Sequence, residues 1–236
     1  MTTTRTRRIA APIGGLILAF ALTACTGSGG SSLPPIPDTT PTSSPNAAEP
    51  SMPSPAPSAD VAAGCPTSQP DPLPAGETRT VTVTTGLGTM DLKIEADLSP
   101  IAAGNFVALA ECGYYDGVVF HRIVPRFVIQ GGDPTGTGTG GPGYTITDES
   151  VTAIYGRGTV AMARTSQPDS VGSQFFIVTS DDAREALAAY NTYQIIGTVV
   201  SGMETVDAIA AMPNSGQPNN VALEPVAMNG VTVSQP

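Results

Sequence analysis

Beyond about residue 78 the chain consists of short alternating runs separated by glycine, a pattern that suits sheets and not helices. Arg79 to Thr85 alternates Thr with Val, Gly86-Leu87-Gly88 turns the chain, and Thr89 to Glu95 alternates again with Met90, Leu92 and Ile94 on one side. Side chains two apart share a face of a strand, so these runs form a hairpin with an apolar inner face. Further strands are predicted at Val118–Ile123, Phe127–Gln130, Gly158–Ala163, Gln174–Thr179, Gln194–Val200 and Val221–Val233. Helical spacing is found twice. Ser99-Pro100 reads as an N-cap followed by proline at the first helical position, with Ile101, Phe106, Leu109 and Ala110 as an apolar stripe and Gly113 as the stop. A second helix runs from Met203 to Ala211 and ends before Pro213. Many short strands with glycine-rich turns and two helices predict a mainly β fold, a closed antiparallel barrel with helical plugs.

The first 75 residues are of another kind. Arg5, Arg7 and Arg8 precede an apolar or small-residue run from Ile9 to Leu22, which is short for a membrane span. The run ends in Leu22-Thr23-Ala24-Cys25, which resembles a bacterial lipobox. Residues 1–24 are then an export signal, and lipid on Cys25 anchors the chain to the outer face of a bacterial membrane through buried methylenes. An ordinary anchor helix or a plain secretory signal would share most of these features. From Cys25 to about residue 75 the chain is mainly Ser, Pro, Thr, Gly and Ala, too poor in large apolar residues to offset its ordering entropy. It reads as a tether; about 40 such residues span on the order of 100 Å when extended. The folded domain is expected over 76–236.

The full chain carries a formal net charge of -10. Removing the three leading arginines leaves seven basic against twenty acidic residues. That surface repels phosphate backbones, so nucleic acid is not an expected partner. With Cys25 acylated, Cys65 and Cys112 remain. In a non-reducing compartment they either pair, pinning the tether's end to the domain, or stay as two thiols. One histidine and no Cys-x-x-Cys give no pattern for a metal, and no cofactor is expected.

The segment richest in chemistry is Phe120-His121-Arg122-Ile123-Val124-Pro125-Arg126-Phe127-Val128-Ile129-Gln130-Gly131-Gly132-Asp133-Pro134. Strict alternation sets Arg122 on one face with Phe120 and Val124. A charge and an amide among such residues are costly in a closed core. They belong either in an open apolar groove or, for Arg122, on the barrel's outer face. Other features carry less. Gly138-Thr139-Gly140-Gly141-Pro142-Gly143 fits a dinucleotide-loop pattern formally, but it contains proline and no helix follows. His121 reads as a hydrogen-bonded structural residue, Asp133 as turn chemistry, and Asp148-Glu149 and Asp181-Asp182 as solvated loop charges.

The Phe120–Pro134 segment closely resembles the cyclophilin signature. Gly158-Thr159-Val160-Ala161-Met162-Ala163-Arg164-Thr165 with Gly172-Ser173-Gln174-Phe175-Phe176-Ile177, and the glycine-rich loop Gly131–Gly141, are similar to further cyclophilin hallmarks. The likeness covers roughly residues 78 to 233. It implies an eight-stranded antiparallel barrel closed by two helices, and a monomeric peptidyl-prolyl cis-trans isomerase acting on proline-containing polypeptides. By the same resemblance Arg122 is the catalytic arginine, and Phe127, Val128 and Phe176 wall the proline pocket. Gln130 supports the arginine, Met162, Ala163, Arg164 and Gln174 form the rim, and Tyr193 stands at the pocket mouth. Arg164-Thr165 looks like the bacterial branch. Leu187-Ala188-Ala189-Tyr190-Asn191 lacks the family's Trp/Phe-Leu pair, so Leu187 is the candidate for that wall. The missing Trp implies weaker binding of cyclosporin. A non-catalytic module that holds proline segments in the same groove is the competing expectation.

Overall fold

The computed structural model describes residues 64–234. Its strands are Thr78–Thr85 (β1), Gly88–Glu95 (β2), Val119–Val124 (β3), Val128–Asp133 (β4), Thr159–Met162 (β5), Phe175–Val178 (β6), Ile195–Ser201 (β7) and Val221–Ser234 (β8). They form one closed barrel in the order β1-β2-β7-β5-β6-β4-β3-β8, every pair antiparallel. Closure leaves no bare sheet edge to pair with another chain. Among the described residues three α-helices accompany it rather than the two expected: Pro100–Glu111 (α1), Arg184–Tyr190 (α2) and Met203–Ala210 (α3). The additional one, α2, has seven residues, too few for a periodic apolar stripe to register in the sequence.

Alternation along the strands sorts side chains into two apolar clusters. Leu92, Ile94, Phe120, Ile129, Val160, Phe175 and Ile177 point inward and fill the barrel. Phe106 of α1 joins them, its ring 5.1 Å from that of Phe175 and 5.2 Å from that of Tyr115. Each such ring, taken fully out of water, contributes about 1.5–3 kcal/mol. Val128, Ala161, Phe176, Val178 and Ile195 face the opposite way and form a second cluster on the outer wall, against Ala183 and Leu187. The barrel therefore has a packed interior and a greasy patch outside it.

The strict alternation expected across Phe120–Val124 does not hold. The register with β4 and β8 shifts between Phe120 and Arg122, so His121 is the extra residue of a bulge. Phe120 and Ile123 both enter the core, and Arg122 turns outward with Val124, which packs on the outer cluster. Two other expectations change. Ser99 does not cap α1 with its side chain; its hydroxyl donates to Leu98 O at 2.8 Å. The carboxylate of Glu149, expected to be solvated, accepts instead from the N–H groups of Ile101 and Ala102 at 2.9 Å each. An acidic group there complements the helix dipole and the unpaired amides of the first turn. Ordered packing also begins before Gly76. Cys65 and Leu73 are buried, and Cys65 is disulfide-bonded to Cys112. Cys25 and the tether up to residue 63 lie outside the described residues.

Candidate active site

The outer cluster floors a cavity of about 340 Å³. Phe127, Val128 and Phe176 supply its apolar walls, Arg122 and Gln130 one polar side, and Ala163 and Arg164 the rim. Pairing of β4 with β6 places Gln130 directly beside Phe176. Tyr193 stands at the edge, its ring 5.4 Å from that of Phe176 and nearly perpendicular to it. Its position is held by its own carbonyl, which accepts from the Tyr155 hydroxyl at 2.9 Å. The far wall comes from α2, with Ala186, Leu187 and Tyr190. Leu187 thus lines the wall for which it was the candidate. Ala186 and Tyr190 were not foreseen, because the helix that presents them was not.

A relay of hydrogen bonds aims the guanidinium. Arg122 Nη1 donates to Gln130 Oε1 at 3.1 Å, and Gln130 Nε2 donates to Gln174 Oε1 at 2.9 Å. Gln174 Nε2 donates in turn to Gly138 O at 3.0 Å and Gly140 O at 2.9 Å. Those carbonyls belong to the glycine-rich loop, which Asp133 organises. This fully buried carboxylate accepts from the N–H groups of Thr135, Gly138 and Gly140 at 2.7, 2.6 and 3.0 Å, and from the Thr135 hydroxyl. Burial alone would push the Asp133 pKa up; these bonds outweigh it and hold the group below its ordinary value. It does more than the turn chemistry expected of it. A side chain at Gly140 would bring Cβ within 2.1 Å of Asp133 Oδ1, so the loop can close over the carboxylate only with glycine there.

Burial lowers the pKa of Arg122, with nearby Tyr193 opposing the shift. A guanidinium starting so high stays charged. His121 is buried, and neither ring nitrogen makes a well-formed hydrogen bond, the backbone of Val119 being its nearest polar partner. Burial lowers its pKa, with Asp133 opposing and Arg122 assisting, so it is neutral near pH 7.

A second cavity of about 390 Å³ adjoins the first, sharing Gln130, Ala163 and Arg164 and continuing past Gln174 to Gly138–Pro142. Arg164 sits between the two, paired with Asp148 at 2.9 Å. Asp148 is thus bound to the rim and is not a solvated loop charge, whereas Asp181 and Asp182 remain exposed, paired with Arg184 and Arg126. Met162 is the one expected rim residue whose side chain does not reach the groove. It points into the barrel core and is fully buried. Among the described residues no group of three or more His, Cys, Asp or Glu side chains is placed to hold a metal ion.

A barrel whose outer wall carries an apolar-walled slot beside an aimed guanidinium, with no serine, cysteine or lysine in the lining, is suited to hold an apolar group of a polar chain such as a peptide. The chain matches the family model of the cyclophilin type peptidyl-prolyl cis-trans isomerase/CLD over residues 80–233. The peptidyl-prolyl cis-trans isomerase of Acinetobacter baylyi is 38% identical over 160 residues, covering 65% of this chain and 84% of the relative. Peptidyl-prolyl cis-trans isomerase CYP18-1 of Arabidopsis thaliana is 39% identical over 158 residues, with 65% and 94% covered. A crystal structure of a Cryptosporidium parvum cyclophilin type peptidyl-prolyl cis-trans isomerase superposes with a TM-score of 0.59 at 30% identity, covering 67% of this chain and 99% of that one. The chain belongs to the cyclophilin-type peptidyl-prolyl cis-trans isomerases.

Proposed function

We propose that this isomerase accelerates rotation of X-Pro bonds in exported polypeptides outside the bacterial cell membrane, tethered there by lipid on Cys25, and that Arg122 carries the rate. The observation supporting the catalytic role is the Arg122 guanidinium, charged and half-buried beside Phe127 and Phe176, with Gln130 as its hydrogen-bond partner among the described residues. That leaves further N–H donors to meet substrate. Rotation of the bond must cross a barrier of about 18–20 kcal/mol, at which amide resonance is lost. The twisted nitrogen regains a lone pair that the planar ground state does not offer. A donor aimed at it stabilises the transition state more than the substrate. Phe127, Val128 and Phe176 hold the proline ring in a dry slot while the chain on the other side turns. No proton is transferred and no covalent bond forms.

An Ala-Pro tetrapeptide assay tests the role: Arg122→Ala reduces turnover about a hundredfold, equal to about 3 kcal/mol. Near-normal rates in that variant refute it. Peptide binding with no acceleration by the unaltered chain would select a non-catalytic binding module instead. Placement outside the membrane is supported by the basic start, the apolar run and Cys25, and the Cys65–Cys112 bond fits a non-reducing compartment. Replacing Cys25 by Ala should release the protein from the membrane fraction; unchanged fractionation would count against the lipid anchor.

A further inference from the structure

Residues 65–77 precede the segment matched by the family model, yet they are fastened along their length. Cys65 is bonded to Cys112, the residue that ends α1. The backbone of 71–73 lies directly on α1 at Gly104, where a Cβ would come within 2.4 Å of Asp71 O and 2.8 Å of Leu73 N. Leu73 is buried and its N–H donates to Pro100 O at 2.9 Å. Gly76 N–H donates to Asp97 Oδ1 at 2.8 Å. One anchor reaches elsewhere. Gln69 Oε1 accepts from the N–H of Thr147 at 2.9 Å.

Thr147 begins a junction. Its carbonyl accepts from Gln194 Nε2 at 3.1 Å, next to Tyr193 at the pocket edge. Asp148 exchanges backbone-to-carboxylate bonds with Asp169, at 2.7 and 3.0 Å, and its Oδ2 also holds Arg164 Nη1 at 2.9 Å. Arg164 borders both cavities. We infer that Gln69, kept in reach by the Cys65–Cys112 bond, is a positioning residue for the substrate groove, bracing the 147–149 segment and, through Asp148, the Arg164 rim that meets residues flanking the proline. Three residues lie between Cys65 and Gln69, four Cα-to-Cα steps that span at most about 14 Å, so the disulfide confines the acceptor to the neighbourhood of Thr147. With the bond open, Gln69 is held only by the contacts that begin at Asp71, and the brace weakens. This inference rests on the groove being the isomerase's substrate site.

The test is steady-state kinetics on the full chain with a proline tetrapeptide, together with amide hydrogen exchange at Thr147. Gln69→Ala should raise KM about three- to tenfold, the factor that goes with one hydrogen bond, and leave kcat within about twofold. Thr147 exchange should quicken in the same variant. Gln69→Glu keeps an acceptor oxygen and should restore both readouts. Cys65→Ser should reproduce the Gln69→Ala effect, and Gln69→Ala should add nothing in an Asp148→Ala background. An unchanged KM in Gln69→Ala, a loss carried by kcat, failure of the Glu variant to rescue, or full additivity with Asp148→Ala would each overturn the brace. If the unaltered chain does not accelerate isomerisation, the functional reading fails by itself. The brace is then judged on peptide affinity and Thr147 exchange, and it falls if Gln69→Ala alters neither.

Discussion

Arg122 combines two demands that seldom meet in one side chain: it is half-buried among apolar walls, and it stays charged. Its planar fork reconciles them, because one N–H binds Gln130 while others face the slot. Arg122→Lys keeps the charge but loses that geometry, so turnover should fall about tenfold or more in a proline-peptide assay; wild-type rates would show that charge alone suffices. Since no proton moves, kcat should be flat between about pH 7 and 9, and a sigmoidal profile there would argue for a titrating catalyst. Among Phe, Val and Ile, Arg122 and Gln130 stood out as costly to bury, but the residues alone left Arg122 between a groove and the barrel's outer face; the cyclophilin resemblance was what implied the pocket. Met162 was not separable from its neighbours Ala163 and Arg164. Which of three consecutive rim residues turns inward depends on the registers of β5 with β6 and β7, which the residues themselves do not state.

The glycine-rich loop and α2 are the elements that complete the site. Gly140→Ala would drive Cβ into the Asp133 carboxylate, displacing the carbonyl that holds Gln174. The expected outcome is a several-fold higher KM and a loss of about 1–3 kcal/mol in denaturant unfolding. Leu187 is 3% exposed between the helix and the outer cluster. Leu187→Ala should cost about 2–5 kcal/mol and weaken peptide binding; intact binding would remove α2 from the wall. Strands and the two longer helices could be read from period and punctuation to within a residue or two, except that β4 runs three residues past the expected end at Gln130, to Asp133. The bulge at His121 and the Glu149 cap could not. Both depend on partners far along the chain, β8 for one and a loop 48 residues away for the other.

At the scale of the molecule, two buried groups tie stability to pH. Burial lowers the His121 pKa from its ordinary 6.5, so the unfolded chain binds this proton more readily and stability drops as pH falls below about 6.5. The Asp133 pKa lies below its ordinary 3.8, so its contribution is complete above that pH and is lost on further acidification. Thermal melts should show two acid phases, with His121→Leu removing the upper one; an unchanged upper phase in that variant would assign it to other groups. Closing a loop of 47 residues through Cys65 and Cys112 should contribute about 4 kcal/mol by the chain-entropy model, read as the difference between unfolding with and without reductant. The barrel as a whole was legible because alternation recurs along most of the domain. The packed stretch before Gly76 was legible only as one of the two options for Cys65 and Cys112, because its composition is that of a tether; its hold comes from that sulfur bridge, Leu73 and a few hydrogen bonds, the one from Thr147 to Gln69 among them. Because the catalytic slot lies on the barrel's outside while the inside is solid with side chains, a client never has to be threaded through anything. A proline midway along a very long chain, with bulky folded parts on either side, can be seized, turned and let go like a bead pinched on its string.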